Sequence, residues 1–178
     1  TGGAFFVFTS FIGIIQVIFI ARNQKISMKK IVIVGSGFGG VSTALEASKR
    51  LNKDEAEITL IDRHPYHLAH TYLYEVASSP EELKQSVAVP IMEIMAGTGV
   101  KFHQGSVVKI NSEKQEVELD HGVLGYDYLV TALGSDANYY GIPGAEQFSI
   151  PLKSLRDSFA VRNKIQFLLD AHRQDITK

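Results

Sequence analysis

The stretch Met28 to Gly40, MKKIVIVGSGFGG, limits this chain more than any other part of it. KIVIV is a continuous apolar, β-branched run, the pattern of a parallel strand buried on both faces. It ends in Gly35, and helical spacing follows in VSTALEASKRL, with Val41, Ala44, Leu45, Ser48 and Leu51 on one face. AEITLID, Ala56 to Asp62, reads as a second strand and completes a strand, turn, helix, strand unit of βαβ length. Gly35, Gly37 and Gly40 form GxGxxG where strand passes into helix. The first glycine permits the sharp turn, the second lets backbone N–H groups approach a pyrophosphate, and the third lets the helix pack on the strand. The helix N-terminus adds unpaired donors and a dipole that favours phosphate charge. Asp62, at the end of the second strand, stands where a carboxylate accepts bonds from adenosine ribose hydroxyls and repels a 2′-phosphate. The spacing predicts a bound dinucleotide and leaves FAD and NAD both open.

Beyond this unit the pattern continues as α/β. Short helices are predicted at Glu81 to Gln85 and at Pro90 to Met95, where Pro90 suits a first turn. The period then changes to short alternating strands at Val100 to His103, Ser106 to Asn111 and Glu116 to Leu119, a β-meander. Tyr128 to Ala132 is another buried strand, ending at Gly134, and Leu155, Phe159, Arg162, Ile165 and Leu169 give the last segment helical spacing. The 178 residues suffice for one domain with its own core. A net charge of -1 offers no basic field, so no nucleic acid is expected as partner. With no cysteine, disulfides, a CxxC zinc site, thiol nucleophiles and redox cysteine pairs are excluded within these residues, and any reaction here uses a cofactor or other side chains. His64, His67 and His70 recur at three-residue spacing, but Pro65 opposes a regular helix, and no metal site is expected. No side chain is assigned a catalytic role. A first residue Thr1 and a last segment that runs like an unfinished helix point to a fragment.

The first residues differ in character. Ala4 to Ala21 is apolar apart from Thr9, Ser10 and Gln16. As a helix these residues would rise ~27 Å, close to the roughly 30 Å hydrocarbon thickness of a bilayer. Arg22, Lys25, Lys29 and Lys30 follow, with no acidic residue before Glu46, which places the body of the protein on the cytoplasmic side. The expectation is a single-pass N-terminal anchor in the cell membrane, residues 1–27 with their basic flank. A cleaved signal peptide and a true start at Met28 are the competing readings.

Past Asp62 the blocks IDRHPYHLAHTYLYEVASS, SVAVPI and YDYLVTALGSDANYYGIPGAEQFSIPLKSLRDS, together with the glycine turn, resemble the type II NADH:quinone oxidoreductases. These are FAD-dependent flavoproteins of the pyridine nucleotide-disulfide oxidoreductase superfamily, and the resemblance runs from about Lys30 to the end of the chain. It implies a Rossmann-like FAD-binding domain with a parallel sheet and a β-meander over residues 28–150. Residues 151–178 would begin the connection toward an NADH-binding domain, the second dinucleotide-binding domain of such a flavoprotein. By the resemblance, Gly35, Ser36, Gly37, Phe38, Gly39 and Gly40 hold the FAD pyrophosphate and Asp62 the ribose, with Arg63 beside it and His67 near the flavin. Val107 contacts adenine through its backbone, and Ala132, Leu133 and Gly134 return the chain to the flavin. Ala69, Thr71 and Tyr72 depart from the family pattern, and Tyr139 and Tyr140 replace an aromatic pair expected to pack. The implied activity is electron transfer from NADH through FAD to a membrane quinone without proton pumping. NADH, quinone and membrane lipid are the implied partners, and a homodimer is an assembly open to it. A sulfide:quinone oxidoreductase, or an inert membrane-tethered dinucleotide-binding fragment, are the alternatives.

Overall fold

The structure, a computed structural model, describes residues 5–10, 15–20, 28–78 and 87–176. The chain divides into two compact units, residues 1–67 with 89–135 and residues 68–88 with 136–178.

The first unit is built on a six-stranded sheet. Its centre is β3 (Lys29–Val34), flanked by β4 (Ala56–Asp62) and β11 (Tyr128–Thr131), with β7 (Lys101–Gln104) beyond β4, and these four strands are parallel. β3 and β4 alternate their side chains between two covered faces. One face, Ile33, Ile58, Leu60 and Val130, packs against Val41 and Ala44 of α1 (Phe38–Arg50) and against Ile91 and Met95 in and just after α3 (Ile91–Ile94). The opposite face, Val32, Val34, Ile61 and Leu129, packs against Val117, Leu119 and Tyr126. Burying each large aliphatic side chain of this kind contributes about 1.5–3 kcal/mol, and Ile33, Leu60 and Ile61 are fully buried. α1 carries Lys49 and Arg50 in its last turn, where positive charge suits the helix dipole. Leu51, expected on its buried face, is instead its C-cap and is exposed, because the helix has already ended there.

The second covering layer is a meander of β8 (Val107–Asn111), β9 (Glu116–Leu119) and β10 (Gly122–Gly125). Two details differ from the sequence reading. The first of the alternating strands, at Val100 to His103, leaves the meander and becomes β7 of the parallel sheet, because its partner is β4, with Leu60 opposite Phe102. The meander is completed by β10, whose flanking glycines hide a strand in the sequence and whose Leu124 packs inward. The Tyr126 hydroxyl is buried in this layer with no hydrogen-bond partner among the described residues, and burial pushes its phenol pKa up. An unpaired buried hydroxyl is destabilising by about 1–3 kcal/mol in protein mutational data. Tyr126→Phe is therefore expected to raise stability by about 1 kcal/mol, read as a higher midpoint in thermal unfolding followed by circular dichroism.

The N-terminal expectation is corrected. β1 (Phe5–Ser10) and β2 (Ile15–Ile20) pair antiparallel with Ser10 opposite Ile15, and β2 adds to the free edge of β11 with Gln16 opposite Thr131. A single membrane-spanning helix from Ala4 to Ala21 is incompatible with these two strands. The physical reason lies in the residue types: the run is rich in Phe, Val, Ile and Thr, which suit a pleated strand, and the sheet offers them an edge to pair with. Among the described residues no helix is long and apolar enough to cross a membrane. Arg22 and Lys25 of the basic flank, and the helix expected at Glu81 to Gln85, lie outside the described residues.

The second unit has its own core of Leu73 and Val76 from α2 (Leu73–Ser78), Val87, and Leu155 and Phe159 from α5 (Leu155–Ile176). α5 begins in a capping arrangement: Ser154 Oγ accepts the Asp157 N–H (3.2 Å), and Asp157 Oδ2 accepts the Lys153 N–H (3.0 Å). The helical spacing expected of Leu155, Phe159, Arg162, Ile165 and Leu169 is that of α5, on which Ile165 and Leu169 are exposed. Before α5 lie a turn and the short helix α4 (Ala145–Phe148). Tyr140 sits at the tip of that turn, closed by the Ile142 N–H on the Tyr139 carbonyl (3.0 Å), and is 83% exposed, so it does not pack as expected. The remaining strands, β5 (Tyr66–Leu68) and β6 (Ala88–Pro90), form a short two-stranded sheet.

Candidate nucleotide site

β3 feeds into α1 and then β4 on one side of the sheet, whereas β11 returns on the other, so the direction of winding reverses between β3 and β11. In open parallel sheets the crevice at such a reversal, beyond the carboxyl ends of the strands, is where ligands bind. Register brings the expected residues to this edge. Val34 lies opposite both Ile61 and Thr131, and Asp62 opposite Gln104. The strands are tied just past their ends: Gly35 N–H donates to the Ile61 carbonyl (2.8 Å), Ala132 N–H to Val34 (2.7 Å) and Gly105 N–H to Asp62 (2.9 Å). Gly35 to Gly40, Asp62, Arg63, Ala132 and Gly134 are thereby gathered from three strand ends, with Val107 two residues beyond Gly105.

The three glycines of the turn have different physical reasons. Gly35 has a φ of 99°, and a Cβ there would overlap the Ala132 carbonyl oxygen. Gly40 lets α1 sit against the turn, since its Cβ would overlap the Gly35 carbonyl oxygen. Gly37, the N-cap of α1, has an ordinary extended conformation, and among the described residues a Cβ on it would meet nothing within 4 Å. The fold itself does not require glycine at this position. The first helix-like bond of α1 is from Val41 N–H to the Gly37 carbonyl (3.0 Å), so the N–H groups of Phe38, Gly39 and Gly40 are the orphan donors of the helix N-terminus.

Asp62 is half-buried and holds the turn directly: Oδ2 accepts the Ser36 N–H (2.6 Å) and Oδ1 the His64 N–H (2.8 Å). A carboxylate has about four acceptor positions, so each oxygen can accept one more donor. His67 lies beneath the turn, 9% exposed, with Nδ1 on the Ser36 carbonyl (2.8 Å) and its ring edge-to-face with Phe38 (5.0 Å, 85°). Arg63 points its side chain into solvent, while its carbonyl accepts the Gln104 side-chain amide (3.2 Å). Val107 is set by a brace that spacing did not reveal: Ser106 N–H donates to Asp120 Oδ1 (3.2 Å), Asp120 N–H to the Ser106 carbonyl (3.0 Å), and His121 stacks on His103 (5.2 Å). Also absent from the motif is any sign that Asp62 bonds the turn as well as facing outward; only the register of β3 on β4 shows it. His64 stacks on Tyr66 (5.2 Å), and His70 is exposed in a short 3-10 turn. Among the described residues no three His, Cys, Asp or Glu side chains gather in a metal-binding group.

Comparison with known proteins gives this arrangement a family. The model of the family described as pyridine nucleotide-disulphide oxidoreductase matches residues 29–166. The chain belongs to the pyridine nucleotide-disulphide oxidoreductase family. Within this family it is similar to the type II NADH:quinone oxidoreductase of Staphylococcus haemolyticus, 33% identical over 138 residues, which are 78% of this chain and 34% of that protein. The Staphylococcus aureus enzyme of the same name is 32% identical over 71% of this chain and 31% of its own length. The chain thus spans about a third of the curated relatives it matches. Among solved structures, the sulfide:quinone oxidoreductase of Aquifex aeolicus is 25% identical with a TM-score of 0.66, covering 80% of this chain and 32% of its own. NDH2 from Plasmodium falciparum has a TM-score of 0.68 at 22% identity, over 83% of this chain and 30% of its own, which shows the shared fold.

Proposed function

We propose that these residues are the FAD-holding part of a type II NADH:quinone oxidoreductase. Gly35 to Gly40 would carry the pyrophosphate on the orphan N–H groups of α1, and Asp62 would accept the ribose hydroxyls on its two remaining acceptor positions. Arg63 and the backbone of Val107 would line the adenosine end, and Ala132 and Gly134 the flavin end. The observation that carries this reading is Gly37. Among the described residues no atom lies within 4 Å of where its Cβ would stand, and Gly37 caps a helix whose first N–H groups have no acceptor within the helix; a phosphate group fits both features.

When bound, the flavin supplies hydride acceptance and electron transfer, chemistry that no side chain of this cysteine-free chain offers. The protein's part is to orient it and to stabilise its phosphate charge. NADH is the reductant and a membrane quinone the acceptor in this reading, following the name shared by the Staphylococcus relatives. Gly37→Ala separates fold from binding. The variant is expected to unfold within about 0.5 kcal/mol of the parent, as surface changes do, and to bind FAD about 10- to 100-fold more weakly, the equivalent of an overpacked contact. Flavin fluorescence titration and thermal unfolding read the two effects. A variant that binds FAD as well as the parent sinks the pyrophosphate assignment. For the whole gene product, quinone reduction driven by sulfide and not by NADH would favour the sulfide:quinone alternative.

A further inference from the structure

We propose that His67 is a positioning residue that aims the Gly37 N–H at the nucleotide phosphate, an inference that rests on the FAD reading above. Ser36 is 2% exposed and is gripped at both ends: its N–H donates to Asp62 Oδ2 (2.6 Å), and its carbonyl lies 2.8 Å from His67 Nδ1. A carbonyl oxygen only accepts, so the proton of this contact sits on Nδ1 of His67. That is the minority tautomer of a free neutral histidine side chain. The Ser36 carbonyl belongs to the peptide plane that also carries the Gly37 N–H, and the chain has no cis peptide. In a planar trans peptide the N–H points opposite to the carbonyl. Holding the carbonyl on the imidazole therefore turns the Gly37 N–H away from His67, and beside it a Cβ on Gly37 would meet nothing within 4 Å among the described residues. A donor on the carbonyl also polarises the amide and strengthens its N–H as a donor.

The imidazole is itself fixed. It is buried, its ring meets the edge or face of Phe38 at 85°, and its segment is held where the Pro65 carbonyl accepts the Ile91 N–H (2.9 Å). A turn already in its binding conformation loses less freedom when the ligand arrives, which is how preorganisation raises affinity. Phe38 and His67 thus act on the phosphate through the backbone and need not touch it.

The test compares FAD affinity of the parent chain, His67→Leu and His67→Asn, with the His67 tautomer read by 15N NMR of the histidine ring. Asparagine places a side-chain N–H close to where Nδ1 donates; leucine has none. His67→Leu is expected to weaken FAD binding about 10- to 100-fold, as for a buried acceptor left unpaired, with His67→Asn within about threefold of the parent. The ring is expected to carry its proton on Nδ1 even before FAD is added. A proton on Nε2 alone, or a His67→Leu chain that binds FAD as the parent does, overturns the inference and leaves the FAD reading standing. Equal losses in both variants also overturn it, since they would make His67 a packing residue. A parent chain that binds no FAD overturns both.

Discussion

Gly40→Ala is expected to destabilise the first unit by about 3 kcal/mol, the upper end of what an overpacked core site costs. The added Cβ would overlap the Gly35 carbonyl oxygen, with the Gly35 carbonyl carbon at 2.9 Å and the Ala132 Cβ at 3.5 Å. A flexible side chain could swing aside, but this obstacle is backbone. Gly35 is tied to β4 through the Ile61 carbonyl and is held at a φ of 99°. Relief therefore requires α1 to lift off the sheet, which loosens the packing of Val41 and Ala44 on Ile33 and Leu60. For a chain of this size the loss corresponds to a fall of about 6–12 °C in Tm. Circular dichroism at rising temperature measures it, and an unchanged Tm would mean that α1 does not approach the turn this closely. The contrast with Gly37→Ala is the informative part, because the two positions are three residues apart and only one is closed by protein atoms.

Asp62→Ala is expected to weaken FAD binding about 100-fold, or roughly 2.7 kcal/mol, while also lowering stability. Two effects add. The substitution removes the acceptor of the buried Ser36 N–H and of the His64 N–H, and an orphaned buried donor costs about 1–3 kcal/mol. It also removes the acceptor positions left for ribose hydroxyls. Asp62→Asn keeps one acceptor oxygen and turns an N–H group toward a second N–H, so it restores only part of either effect. Titration of each variant with FAD, and with FMN as a ligand that lacks the adenosine, separates the contributions. Equal affinity for FAD in the parent and in Asp62→Ala would remove Asp62 from the site.

The strand, turn, helix and strand from Lys29 to Asp62 were legible in the sequence because each element there is specified locally. A β-branched run buried on both faces, small residues on one helix face and glycines at fixed spacing have one consistent solution. The N-terminal run is not legible in this way for a related reason. An apolar run does not tell strand from helix by periodicity, since both faces are apolar. Phe5–Ser10 and Ile15–Ile20 become strands because they pair with each other and because β11 leaves an edge free, and pairing is not a local property. The sheet that Val100 to His103 joins is not legible on the same account: alternation identifies a strand, and only its partner β4 decides which layer it joins.

The sequence by itself determined a glycine turn between strand and helix with a carboxylate at the next strand end, the residue types that close backbone approach and phosphate charge call for. Only the tertiary structure divided the work among the glycines. Gly35 and Gly40 answer to atoms brought up from β11 and from the turn itself, whereas a Cβ at Gly37 would meet nothing within 4 Å among the described residues. It alone joined Asp62 and His67 to the two ends of Ser36. Such contacts depend on the register between strands and on how β5 passes under the turn, and a residue's neighbours across a sheet are set by pairing energy summed over the whole sheet.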